Sequence, residues 1–195
     1  MKNYFLVFVS ISFLSIACKN DQQKTTEEEK KEEKNFFPVA DYIKGEISYV
    51  DSLPLRMMKY VTINGKTDSN FLKLEDFNEL AREFLPNELI DSAIFEKEFS
   101  ENSFLDQTTQ SLTFTYATKN DKLALQRVDV VANRTTGFDK VRSIYMEKSI
   151  ARNDTTIQKK MYWRAKKSFE IVSISRIPNR PQSTDHLKVV WDNSE

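Results

Sequence analysis

The sequence predicts an α+β domain in which N-terminal helices pack on a curved antiparallel meander sheet of about five to six strands. Three observations predict it. Apolar residues recur at helical spacing up to about residue 99, and after Ser111 the period switches to two. The segments beyond Ser111 are joined by short polar turns, which favour antiparallel neighbours. Helical patterns grouped before a run of strands suit helices laid on one sheet face.

Taken in order, Pro38 fits the first turn of a helix, and Val39, Ile43, Ile47 and Val50 follow at helical spacing as far as Pro54. "LRMMKYVTINGKTDSNFL" reads as a hairpin turning at Asn64-Gly65, the dipeptide that tolerates positive φ at both turn positions. "LEDFNELAREFLP" sets Phe77, Leu80, Ala81, Phe84 and Leu85 on one helical face and stops at Pro86. A less regular helical piece runs from Glu88 to Phe99.

"SLTFTY" then alternates, with Leu112, Phe114 and Tyr116 on one side. "KLALQRVDVVA", "KVRSIYMEK", "TTIQKKMYWRA", "SFEIVSIS" and "LKVVW" continue the series. Turns are expected at 119–121, 133–137, 151–154 and 166–167. In the middle strands Val128, Val130, Ile144 and Met146 share a parity with Gln126, Arg142 and Lys148. That mixture suggests a curved sheet partly covered on its second face.

The N-terminus reads differently. Lys2 precedes an apolar run from Tyr4 to Ala17, too short for a bilayer span of about 20 residues but suited to a secretory signal. Residues 1–17 are therefore expected to be removed. Ser15 and Ala17 satisfy an ordinary small-residue cleavage site, which would leave Cys18 as a free N-terminal thiol. Ser15-Ile16-Ala17-Cys18 also resembles a bacterial lipobox, with Leu14 one position further from the cysteine than the usual pattern. Two facts favour the lipobox: the chain's only cysteine falls at the junction, and a polar tether follows it. Two or three acyl chains on Cys18 would hold the protein on a membrane, since one chain alone binds marginally at about 0.8 kcal/mol per methylene.

Residues 18–35 are then the lipidated cysteine and a charged, disordered tether. "KNDQQKTTEEEKKEEK" cannot bury enough apolar surface to offset its ordering entropy. It reaches roughly 20 to 25 Å as a coil. Residues 36–195 remain for one domain.

Catalytic and metal-binding patterns are not evident. One histidine, His186, and one cysteine exclude structural zinc clusters and leave a Ser-His-Asp triad hard to build. Three glycines, at 45, 65 and 137, exclude glycine-rich phosphate loops. The carboxylates of the helical segments read as solvated faces. No cofactor, no metal and no enzymatic activity are expected.

Charge is segregated. Residues 36–118 carry 7 basic and 14 acidic side chains, whereas 119–176 carry 14 basic and 6 acidic ones. On "TTIQKKMYWRA", Ile157, Met161 and Trp163 should face the core and Lys160, Tyr162 and Arg164 the opposite side, with Arg142 joining from a neighbouring strand. Such a basic and aromatic face could hold an anionic glycan, a lipid headgroup or an acidic peptide. The plainer alternative is that acidic helices complement a basic sheet within one molecule.

Four stretches carry a resemblance: "FFPVADYIKGEI" at 36–47, "KTDSNFLKLEDF" at 66–77, "SFLDQTTQSLTFTY" at 103–116 and "KVRSIYMEK" at 140–148. Through them the chain resembles a group of uncharacterised lipoproteins of Bacteroidota. The resemblance implies an outer-membrane, lipid-anchored envelope location and supplies no functional residue beyond Cys18. The expectation is a non-catalytic binding or assembly role toward an envelope protein, glycan or lipid, with no nucleic acid partner. The alternative is a carrier that encloses an apolar or anionic ligand between sheet and helices.

Overall fold

In the computed structural model the described residues are 36–54, 56–133 and 141–192, all within the compact unit Lys34–Glu195. The signal segment, Cys18 and the tether lie outside them.

The described chain builds α1 (Val39–Asp51), β1 (Met57–Ile63), β2 (Lys66–Leu72) and α2 (Leu74–Ala81), which runs into a 3-10 turn at Arg82–Phe84. Two short helices, α3 (Asn87–Ile90) and α4 (Ser92–Glu98), lead into β3 (Phe99–Asp106). Six strands complete it: β4 (Ser111–Thr118), β5 (Leu125–Asn133), β6 (Val141–Arg152), β7 (Thr155–Arg164), β8 (Ser168–Arg176) and β9 (Ser183–Val190).

This architecture corrects the expected fold class. The strands form one nine-stranded antiparallel sheet in the order β2-β1-β9-β8-β7-β6-β5-β4-β3, and the helices are small beside it. Two things escaped the sequence reading. The hairpin at Asn64-Gly65 does form, with both residues at positive φ, but it joins the main sheet by pairing β1 with β9. That contact links residues more than 120 apart in the chain, and nothing local encodes it. At the other edge, β3 pairs with β4 along its whole length while its residues Ser100–Leu105 are exposed. An edge strand exposed on both faces has no apolar alternation to announce it.

The topology explains where the helices go. β2 and β3 occupy opposite edges, eight strand spacings or about 38 Å apart. The chain between them must cross a sheet face, and it does so as α2, the 3-10 turn, α3 and α4. Phe77, Ala81 and Phe84, at i, i+4 and i+7, are fully buried toward the sheet. Phe84 meets Trp163 edge-on at 5.1 Å between ring centroids, Phe77 meets Trp191 at 5.5 Å, and Trp163 stacks on Phe169 at 5.4 Å. Toward β3 the same layer continues as Phe95 against Phe99 at 4.8 Å and Tyr116 at 5.2 Å. Pro86, with extended backbone, separates the 3-10 turn from α3, and the Asp91 carboxylate caps α4 by accepting from the N–H of Ala93 and Ile94.

The blurred parity of the middle strands has a concrete origin. Between Leu125 and Arg127 β5 carries an extra residue, Gln126, and opposite Val131–Ala132 β6 carries an extra residue, Arg142. Each shift breaks the two-residue alternation locally. Lys148, by contrast, does lie on the core side and is buried. Its ammonium donates to the backbone oxygen of Glu83 and pairs with the Glu83 carboxylate at 3.6 Å; Lys159 reaches the same carboxylate at 3.0 Å. Burial pulls Lys148 below the usual lysine range, and Glu83 opposes that shift.

A second polar tie sits beneath α1. Glu46, 6% exposed, accepts from the Trp163 indole N–H at 3.2 Å, from the Lys166 backbone N–H at 2.6 Å and from the Tyr42 hydroxyl at 3.2 Å. One carboxylate thereby joins α1 to β7 and to the turn between β7 and β8.

Candidate functional site

The described helix-to-sheet contacts fall on the face that carries Tyr116, Val128, Ile144, Met146, Met161, Trp163 and Phe169. The opposite face follows from strand alternation, and cross-strand register arranges it in rows. In the first row Asp129 lies beside Tyr145, Tyr145 beside Tyr162, Tyr162 beside Glu170, Glu170 beside Lys188, and Lys188 beside Tyr60. The second row runs Arg127, Glu147, Lys160, Val172, His186 and Thr62. Each row crosses six strands and brings together residues from both ends of the described chain.

Several charges in these rows are paired, while Lys160 and the exposed Arg164 make no ion pair among the described residues. Arg127 Nε lies 2.9 Å from Asp129 Oδ1. The Tyr145 hydroxyl donates to Glu147 Oε1 at 2.6 Å. Lys188 Nζ lies 2.9 Å from Glu170 Oε1, and His186 Nε2 lies 3.3 Å from Glu170 Oε2. The histidine contact is an ion pair only when the ring is protonated and is not aligned as a hydrogen bond. Burial works against the Glu170 charge, but Lys188, aided by His186, outweighs it and holds the carboxyl below the usual range. Burial and the Glu147 carboxylate both push the Tyr145 hydroxyl above its ordinary value, so Tyr145 stays a donor.

Of the four residues singled out from sequence, Lys160 and Tyr162 stand in these two rows. Arg164 is exposed one row further on, between Ser143 and Ser168. Arg142 is the extra residue at the β6 irregularity, so alternation does not assign its face; its carbonyl accepts from the N–H of Ala165. The rows also contain Tyr60, Tyr145, Glu147, Glu170 and Lys188, which sequence reading missed. For Tyr145 and Glu147 the parity signal existed in "RSIYMEK". For Tyr60 no local signal existed, because its neighbour Lys188 comes from β9. His186, the single histidine, lies in the middle of β9.

Away from this face, a groove of about 330 Å3 opens between the start of α1 and helices α3 and α4, where Phe36, Phe37, Leu89, Ile90 and Phe95 meet Asp41 and Glu96. Phe36 packs edge-on to Phe95 at 5.4 Å and lies 5.0 Å from Tyr116. Among the described residues no group of three His, Cys, Asp or Glu side chains could hold a metal ion, and no helix is long and apolar enough to cross a membrane.

Fold and face together define a sheet-dominated domain with a filled aromatic core on one side and a polar, tyrosine-bearing surface on the other. Comparison with protein-family models, with curated proteins and with solved structures finds no match to this chain.

Proposed function

We propose that the protein is a membrane-anchored envelope lipoprotein with a non-catalytic binding or assembly role, exercised through the polar face of the sheet. One observation carries the reading: Tyr60, Tyr145 and Tyr162 stand in a single row with Glu170 and Lys188, on the side away from the described helix contacts. Tyrosine supplies contact area with few rotors to order and a hydroxyl that bonds at the edge, which makes it a favoured anchor at recognition surfaces. The rings on the other face pack against one another, so sheet and helices are glued together by their own side chains there.

The location rests on the N-terminal sequence, with acylated Cys18 as the attachment point and the outer membrane as the address. Cys18→Ser should release the protein to the soluble fraction of lysed cells; retention on membranes would remove lipidation from the account. For the binding role, a photo-crosslinking residue at Lys160 in intact envelopes should give discrete adducts that Tyr162→Ala removes. Absence of any adduct, or adducts indifferent to Tyr162, would sink it.

A second reading has its own observation. The groove beside Phe36, Phe37 and Phe95 has the volume for a small apolar ligand, as a carrier would need. Saturable binding of a fluorescent fatty acid, abolished by Ile90→Asp, would move the assignment to that groove.

A further inference from the structure

We propose that the row of tyrosines on the polar face is a subsite for an uncharged glycan; this rests on the binding role assigned to that face. Charge segregation along the sequence points to an anionic ligand, but the tertiary arrangement cancels that attraction. Glu170 takes Lys188 at 2.9 Å, Asp129 takes Arg127 at 2.9 Å, and Lys160 stands in register with Glu147. A polyanion would have to compete with three carboxylates fixed among the cations. The buried Lys148 and half-buried Lys159 belong to the other face and are engaged by Glu83. In the two rows three cations, Arg127, Lys160 and Lys188, thus stand among three carboxylates, with Arg164 the exposed cation one row further on, so the rows are rich in dipoles and low in net field.

A neutral sugar matches that chemistry on two counts. Its C–H faces pack on aromatic rings, and its hydroxyls both donate and accept. Each tyrosine offers an apolar ring with a polar tip. The paired ammonium and carboxylate of Lys188 and Glu170 offer a donor and an acceptor side by side, each charge-assisted. Geometry sets the length. Tyr162 and Tyr145 are cross-strand neighbours, and Tyr60 lies three strands from Tyr162, about 14 Å away. Glu170 and Lys188 fill the interval. The pattern is ring, ring, hydrogen-bonding pair, ring, laid across the strands, and it suits a short linear oligosaccharide rather than a single sugar.

The test is native affinity electrophoresis of the full-length lipoprotein in mild detergent, through gels containing dextran, mannan or arabinan as neutral probes and alginate or heparin as anionic ones. At least one neutral polysaccharide should retard the protein, and raising the salt should change the retardation little, because no counterions are released. Tyr162→Ala and Tyr60→Thr should each weaken binding by about tenfold, equivalent to 1.4 kcal/mol. Tyr162→Phe, which keeps the ring, should bind nearly as the wild type, and circular dichroism should show all three variants folded. The proposal is overturned if no polysaccharide retards the protein or if only the anionic ones do, with steep salt dependence. It is equally overturned if the folded tyrosine variants bind unchanged. Crosslinking from Lys160 to an envelope protein, with no retardation by any glycan, would leave the binding role standing and remove the glycan.

Discussion

Replacing Glu46 by alanine tests whether the fold depends on the polar tie beneath α1. The substitution leaves the Trp163 indole N–H and the Lys166 backbone N–H without their acceptor, while the Tyr42 hydroxyl is only part-buried and can turn elsewhere. The indole donor is buried and costs about 1–3 kcal/mol when orphaned, whereas the part-buried Lys166 N–H can turn to water at lower cost. Removing a carboxylate that is itself expensive to bury returns part of this. A net loss of about 2 kcal/mol follows, a substantial share of the roughly 5–15 kcal/mol that stabilises a domain. At about 2–4 °C per kcal/mol for a domain of this size, the melting temperature should fall by about 4–8 °C. Thermal and urea unfolding should be followed by far-UV circular dichroism and by tryptophan fluorescence, since Trp163 reports the site directly. Glu46→Gln keeps one carbonyl oxygen for the two donors and should lose about half as much. A Glu46→Ala melting point within about 1 °C of wild type would refute the reasoning, as would a glutamine variant no better than alanine.

Other substitutions probe separate parts of the fold. Lys148→Met removes a buried charge while leaving Glu83 paired with Lys159, so urea unfolding should show stability unchanged or raised by about 1 kcal/mol. Glu83→Gln leaves two lysines facing a neutral amide and should cost about 2 kcal/mol by the same assay, discounted for the partial exposure of Glu83. Glu83 and Glu170 both titrate below the ordinary glutamate value: burial opposes the shift in each, and Lys159 with Lys148, or Lys188 with His186, outweighs it. Their stabilising contribution is therefore complete above about pH 4.3 and is lost as pH falls through the lower native values. Glu170→Gln should accordingly shallow the acid limb of a stability-versus-pH curve, and an unchanged limb would contradict the pairing. Gly65→Ala should cost about 1 kcal/mol in urea unfolding, because Gly65 sits at φ +77° with open space around it and only backbone strain is at stake.

Local chemistry made much of this protein readable in advance. Pro38, the heptad-like spacing of Phe77, Ala81 and Phe84, Pro86 and the Asn64-Gly65 turn each act within a few residues, so α1, α2 and the β1–β2 hairpin were legible. Alternation in "SLTFTY", "TTIQKKMYWRA" and "SFEIVSIS" revealed β4, β7 and β8, and in β7 it matches buried Met161 and Trp163 set against exposed Lys160 and Arg164. The signal reading of the N-terminus and Cys18 also rests on consecutive residues alone, and those residues lie outside the described ones.

Other features were decided by contacts between distant segments. The pairing of β1 with β9 enlarged the sheet and placed Tyr60 beside Lys188, and no short-range preference specifies such a partner. β3 was hidden because an exposed edge strand is held by backbone hydrogen bonds that any side chain permits. The extra residues Gln126 and Arg142 broke the alternation that sequence reading depends on. The basic surplus of residues 119–176 looked like a ligand signal only until the sheet set Glu83 against two of its lysines and Glu147 and Glu170 among the rest. Periodicity reports which residues share a face; which faces meet, and which charges are already matched, depends on packing across the whole chain.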